Sequence, residues 1–107
     1  MQRLEVVLTA SAYDDLDRIT DYLIERDAAA AEKTYRRIMD SAKKLGAFPQ
    51  MGMLIEDGEL RFFGHRKLIT DDYVVVYRVF EESVVVYHVF NYRQDYGKVF
   101  LPRGKER

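Results

Sequence analysis

The side chains that could do chemistry in this 107-residue chain are mainly cations and tyrosines. There are no cysteines, which removes disulfide frameworks, thiolate zinc sites and cysteine nucleophiles together. Two histidines, His65 and His88, are too few for a dense imidazole metal site, so neither a metal nor a cofactor is expected. The carboxylates Asp14, Asp15, Asp17 and Asp21 make no acid–base pair and read as the solvated start of a helix, where the dipole favours anions. Six scattered glycines form no phosphate-cradling loop. What remains is a set of cations in the second half of the chain, Arg61, Arg66, Lys67 and Arg78. Cations of this kind can offset charge on a phosphate, and Arg61, Arg66 and His88 are candidate nucleic-acid contacts. Seventeen Lys and Arg against eighteen Asp and Glu leave a net charge of -1, which argues against an indiscriminate, salt-driven nucleic-acid binder.

These residues must be positioned by one small domain. The length, with 48% hydrophobic and 13% aromatic residues, fits a single globular unit over residues 1–101 and a polar tail over 102–107. Residues 3–9 read as a first strand, ending where Thr9 or Ser11 can cap a helix. Ala12, Leu16, Ile19 and Leu23 recur as one amphipathic stripe, which fades near Glu25-Arg26-Asp27. Ala31, Tyr35, Ile38, Ala42 and Leu45 form a second stripe; Gly46 fits a left-handed position after it, and Pro49 forbids resumption. So short a break predicts an antiparallel helix hairpin. Residues 50–59 read as a loop, and 60–69, 73–80 and 84–91 as strands rich in Val, Tyr and Phe. The expected fold is α+β: a strand, a helix hairpin, then a three-stranded antiparallel meander completing a sheet covered by the helices on one face. The N-terminus lacks a signal-like apolar run, and no stretch approaches the ~18 to 20 apolar residues of a membrane span, so a soluble, cytoplasmic protein is expected.

The run Val74-Val75-Val76-Tyr77-Arg78-Val79-Phe80 is matched ten residues later by Val84-Val85-Val86-Tyr87-His88-Val89-Phe90, as two strands of one hairpin would be. A three-residue loop, Glu81-Glu82-Ser83, pairs Phe80 with Val84. The even residues then share one face, with Val74, Val76, Arg78 and Phe80 beside Val84, Val86, His88 and Phe90. That face would be partly exposed and suited to a partner, with His88 beside Arg78 as the best candidate base. A two-residue loop shifts the register by one and scrambles this assignment.

Several phrases taken in order resemble the RelE/ParE toxin superfamily. They are Leu8-Thr9 with Ala12, Asp15-Leu16, Ile19 and Asp21-Tyr22; Leu45, Phe48-Pro49 and Gly52; Tyr73 to Val79; and Val86 to Val89 followed by Arg93-Gln94-Asp95-Tyr96. The resemblance covers residues 3–100. It implies the toxin of a type II toxin–antitoxin module, growth-inhibiting and plasmid-stabilising, neutralised by a cognate antitoxin. Its target would be DNA gyrase if ParE-like, or mRNA in the ribosome if RelE-like, with an inactive antitoxin-binding relative as a third reading. Assembly as a homodimer or a toxin–antitoxin hetero-oligomer is expected.

The two branches differ in chemistry, so whether the chain is an enzyme turns on the branch. Metal-free RNA cleavage needs removal of the 2′-hydroxyl proton, cations against the phosphorane charge and a proton for the leaving oxygen. The resemblance to RelE-like mRNA interferases implies Arg93 and Tyr96, with Lys67 or Arg78, as the catalytic candidates. Those nucleases, however, place an arginine just after the tyrosine that opens the third strand, where this chain has Val74 after Tyr73. That departure and the neutral charge favour the ParE-like branch.

Overall fold

The computed structural model describes residues 3–92. The chain runs β1 (Glu5–Leu8), α1 (Ala10–Ile24), α2 (Ala28–Lys44), β2 (Met53–Leu54), α3 (Gly58–Phe62), β3 (Arg66–Thr70), β4 (Tyr73–Val79) and β5 (Ser83–Asn91). One five-stranded sheet results, in the order β1-β5-β4-β3-β2, with β1 parallel to β5 and every other pair antiparallel. The expected α+β architecture is present, with β2 and α3 added to it.

Local chemistry explains the helix hairpin. Thr9, not Ser11, caps α1: its hydroxyl accepts from Ala12 N at 3.1 Å and donates to Tyr87 O at 3.2 Å, fastening the helix start to β5. Asp27 caps α2 by accepting from Ala29 N and Ala30 N. Of the second stripe, Ala31, Ile38, Ala42 and Leu45 are buried, whereas Tyr35 is exposed. Gly46 is required for a different reason from the one expected. It does not take a left-handed backbone; a Cβ there would stand 2.6 Å from Leu4 O, where the chain entering β1 crosses close by. Leu4 N donates to Gly46 O at 2.8 Å in the same crossing.

The segment 60–69, expected as one strand, begins as helix. Gly64 takes a left-handed φ of 77°, and Gly64 N and His65 N donate to Arg61 O and Leu60 O, ending α3 before β3 starts. The aromatic pair Phe62-Phe63 imitated strand composition and hid that stop signal.

The β4–β5 hairpin corrects the expected register near its turn. Phe80 N donates to Ser83 O at 2.7 Å, so Glu81 and Glu82 alone turn the chain and Val79 rather than Phe80 faces Val84: the two-residue loop, with its register shifted by one, is the one formed. Tyr77 pairs with Val86 and Val76 with His88, which leaves Tyr87 as the extra residue of a bulge. Val84 and Val86 therefore turn to the helices, while beyond the bulge Val74 faces Phe90 as expected.

Two apolar clusters sit on opposite faces of the sheet. The larger packs Ala12, Leu16, Ile38 and Leu45 of the helix layer against Val75, Tyr77, Val84, Val86 and Val89. The smaller packs Ile55 and Leu60 over Val74, Val76 and Phe90. The face expected to be open to a partner is thus half covered, by the chain around α3.

Candidate functional site

The sequence-predicted residues do not converge on one point. Arg61 is ion-paired with Glu56 beside α3. Arg66 stands opposite Tyr77, on the helix-facing side of the sheet, and donates to Gly52 O at 2.7 Å. Lys67 stands opposite Val76 and so shares the other face with Arg78. Arg93 and Tyr96 lie outside the described residues. Among the described residues no three His, Asp or Glu side chains are grouped so as to hold a metal ion.

His88 lies opposite Val76, on the expected side by register, but its Nδ1 meets Asp15 Oδ2 on α1 at 3.0 Å. The same Oδ2 accepts from Val89 N at 2.9 Å, and Oδ1 is paired with Arg18. Asp15 is therefore not a solvated helix residue: it is 6% exposed. The cause is topological. β1 ends at Leu8, opposite Val86, while β5 runs on to Asn91, so the outer edge of β5 past the bulge has no strand beside it. Asp15 supplies the acceptor that edge lacks. It sits three residues after Ala12 and four before Ile19, and this place on the apolar stripe was the signal that its carboxylate points inward.

Around this lock opens a cleft of about 470 Å³ lined by Asp15, Arg18, Tyr22, Tyr73, Phe90 and Asn91, among others. Burial, and then the charge of Asp72, push the Tyr73 hydroxyl above its usual range. A second groove, of about 440 Å³, lies between α1 and α2. Its floor is Ile24, Ala28, Ala31 and Tyr35, and its rim carries Asp17, Asp21 and Glu32, all exposed. The apolar floor and acidic rim fit an amphipathic helix with basic flanks better than a small molecule.

Tyr77 joins the sheet to the loop after α2. It is fully buried, donates from its hydroxyl to Pro49 O at 2.8 Å and accepts from Gly52 N at 2.9 Å. A Cβ on Gly52 would stand 2.7 Å from that hydroxyl and 2.5 Å from Lys67 O. The spaced phrase Phe48-Pro49 and Gly52 is thus the docking place of Tyr77. Burial raises the Tyr77 pKa above its ordinary value, against the opposing pull of the Gly52 hydrogen bond.

On the sheet face away from the helices, Arg78 lies over two rings, its guanidinium carbon 4.7 Å from the centre of Phe80 and 5.7 Å from that of Phe63. Phe63 meets Phe62 edge to face at 5.0 Å. His65 stacks at a tilt on Tyr87, and its Nδ1 lies 3.2 Å from Leu60 O. Burial, with a smaller contribution from Arg78, lowers the His65 pKa, partly offset by the Leu60 contact.

The family model of the ParE toxin of the type II toxin–antitoxin system parDE matches residues 6–96. Among solved structures, the chain resembles one from the chromosomal ParDE toxin–antitoxin system of P. aeruginosa. The TM-score is 0.70 at 21% identity, covering 83% of this chain and 96% of that one. It also resembles a chain of the toxin–antitoxin complex RelBE2 from Mycobacterium tuberculosis, with a TM-score of 0.66 at 20% identity, covering 85% and 93%. At these identities the structural likeness establishes the fold. No curated protein sequence matches.

Proposed function

The chain belongs to the family of ParE toxins of type II toxin–antitoxin systems, and on that premise we propose that it inhibits DNA gyrase in the cytoplasm and is silenced by a cognate antitoxin. The observation that carries the gyrase reading is the place of Val74. RelE-like nucleases present an arginine after the strand-opening tyrosine; here that position is apolar and 3% exposed, packed with Ile55 and Leu60. A cation there would be buried without a partner. The net charge of -1 points the same way, since long-range attraction to ribosomal RNA needs a basic field.

The antitoxin reading is supported by the groove between α1 and α2. An amphipathic segment can lay apolar side chains along Ile24, Ala28, Ala31 and Tyr35 while its basic flanks meet Asp17, Asp21 and Glu32. That one structural relative comes from a ParDE toxin–antitoxin system and the other from the toxin–antitoxin complex RelBE2 supports an antitoxin partner.

A second reading is favoured by Lys67 and Arg78 sharing one sheet face. It is ribosome-dependent mRNA cleavage by those two residues with Arg93 and Tyr96. Inducing the chain without antitoxin, while following plasmid supercoiling and mRNA integrity in the same culture, separates the two. Relaxed plasmid with intact mRNA is expected. Codon-linked mRNA breaks that vanish in Arg93→Ala would overturn the gyrase reading.

A further inference from the structure

The sheet face away from the helices is covered unevenly. Ile55 and Leu60 close it over Val74, Val76 and Phe90, and the half nearer the β4–β5 turn stays open. Register places Val7, Val85 and Arg78 in one row across β1, β5 and β4 on that open half. Phe80 follows two residues after Arg78 on the same face, and Phe63 packs against the guanidinium from α3. The apolar side chains here are open to solvent: Phe62 is 81% exposed, Phe63 50%, Val7 40% and Phe80 39%. Isolated apolar side chains at a surface need no explanation, but a contiguous aromatic group around an arginine has the composition of a binding hot spot.

The charges on this face indicate what it fits. Among the described residues no carboxylate forms an ion pair with Arg78, and its guanidinium lies over the rings of Phe63 and Phe80. Towards the turn stand exposed acids, Glu5 on the same face of β1 and Glu81 and Glu82, while Lys67 of β3 lies on the side of Arg78 away from the turn. A polyphosphate backbone would be repelled by that rim. A folded protein with a central Asp or Glu, apolar neighbours and outlying basic residues would be complementary.

We propose that this half-face, centred on Arg78 with Phe63 and Phe80, is the surface by which the toxin grips its protein target, separate from the acidic groove between α1 and α2. The inference rests on the toxin reading and adds the location and chemistry of the contact. It places a target carboxylate against Arg78 in an apolar surround, where a charge-assisted bond is strong.

The test is to induce the full chain and its variants in a bacterial host and to count surviving colonies, with thermal melts of the purified proteins as controls. Arg78→Glu and Phe80→Ser are expected to melt like wild type. They should lose potency by about 30-fold or more, the usual effect of removing a hot-spot side chain. The double variant Glu81→Lys with Glu82→Lys, at the turn next to Phe80, is expected to weaken arrest through its repulsion of the partner's basic rim. Full arrest by a well-folded Arg78→Glu overturns the proposal. So does stronger arrest by the double lysine variant, which would indicate a nucleic acid on this face. A wild type that causes no arrest refutes the toxin reading, and the proposal with it. Arrest with normal supercoiling refutes only gyrase as the target. If Arg78→Glu fails to fold, Phe63→Ser and the lysine pair decide between these outcomes.

Discussion

Asp15→Ala should be among the most damaging single substitutions in the helix layer, although its residue type suggests a tolerant surface site. In the native fold the carboxylate is 6% exposed and receives Val89 N at 2.9 Å, His88 Nδ1 at 3.0 Å and the Arg18 guanidinium. Truncation leaves Val89 N–H facing a cavity edge with no protein acceptor, at about 1–3 kcal/mol for an unmet buried donor. Losing the contact to half-buried His88 adds about 1 kcal/mol. The Arg18 pair adds little, because that side chain is 73% exposed. The sum is about 2–4 kcal/mol, a drop in Tm of roughly 10–20 °C for a domain of this size. Asp15→Asn keeps one oxygen for Val89 N and should cost about half as much, and Arg18→Ala about 0.5 kcal/mol or less. Urea unfolding followed by circular dichroism gives the ranking, and hydrogen exchange at the Val89 amide locates the effect. An Asp15→Ala protein within about 0.5 kcal/mol of wild type, with Val89 still protected, would refute the idea that this carboxylate closes the open edge of β5.

Three further outcomes follow from the same geometry. Tyr77→Phe removes the hydroxyl shared by Pro49 O and Gly52 N and should cost about 1–3 kcal/mol in chemical denaturation, through the orphaned Gly52 N–H. Gly52→Ala should destabilise by about 1–3 kcal/mol, since the new Cβ would meet Lys67 O at 2.5 Å and backbone must move to admit it. His65 has its folded pKa below the ordinary 6.5, so the unfolded chain takes up its proton first as pH falls. The stability present above pH 6.5 should therefore decline from there down through the folded pKa, and less steeply in His65→Gln when unfolding free energy is measured across that window.

The helix hairpin was legible because its signals are local: Thr9 or Ser11 as a cap, two apolar stripes with a short break between them, and Pro49 as a stop; the cap on α2, Asp27, was passed over as part of that break. Strands β4 and β5 were legible from their Val and Tyr content, whereas two-residue β2 was read as loop and α3 as the start of β3. The register near the β4–β5 turn was open because Glu81-Glu82-Ser83 does not fix whether the loop holds two residues or three; two are used, and the bulge at Tyr87 then restores the expected pairing of Val74 with Phe90. Thr9 binds Tyr87 O at the bulge itself. Asp15 was misread for a related reason. A carboxylate on an apolar stripe is a burden until one knows that a strand edge waits for it, and pairing in the sheet decides that. Arg61 and Arg66 looked like phosphate contacts by residue type, yet one pairs with Glu56 and the other holds Gly52 O. Cations also make internal bonds, and sequence alone does not separate the two uses.

The most direct measurement of the central claim is a supercoiling reaction with purified gyrase, relaxed plasmid and the purified chain, run beside translating ribosomes with a labelled mRNA. Dose-dependent loss of supercoiling and an uncut message are expected. Supercoiling that proceeds unchanged at a large excess of the chain, while the message is cut on the ribosome, would contradict that claim.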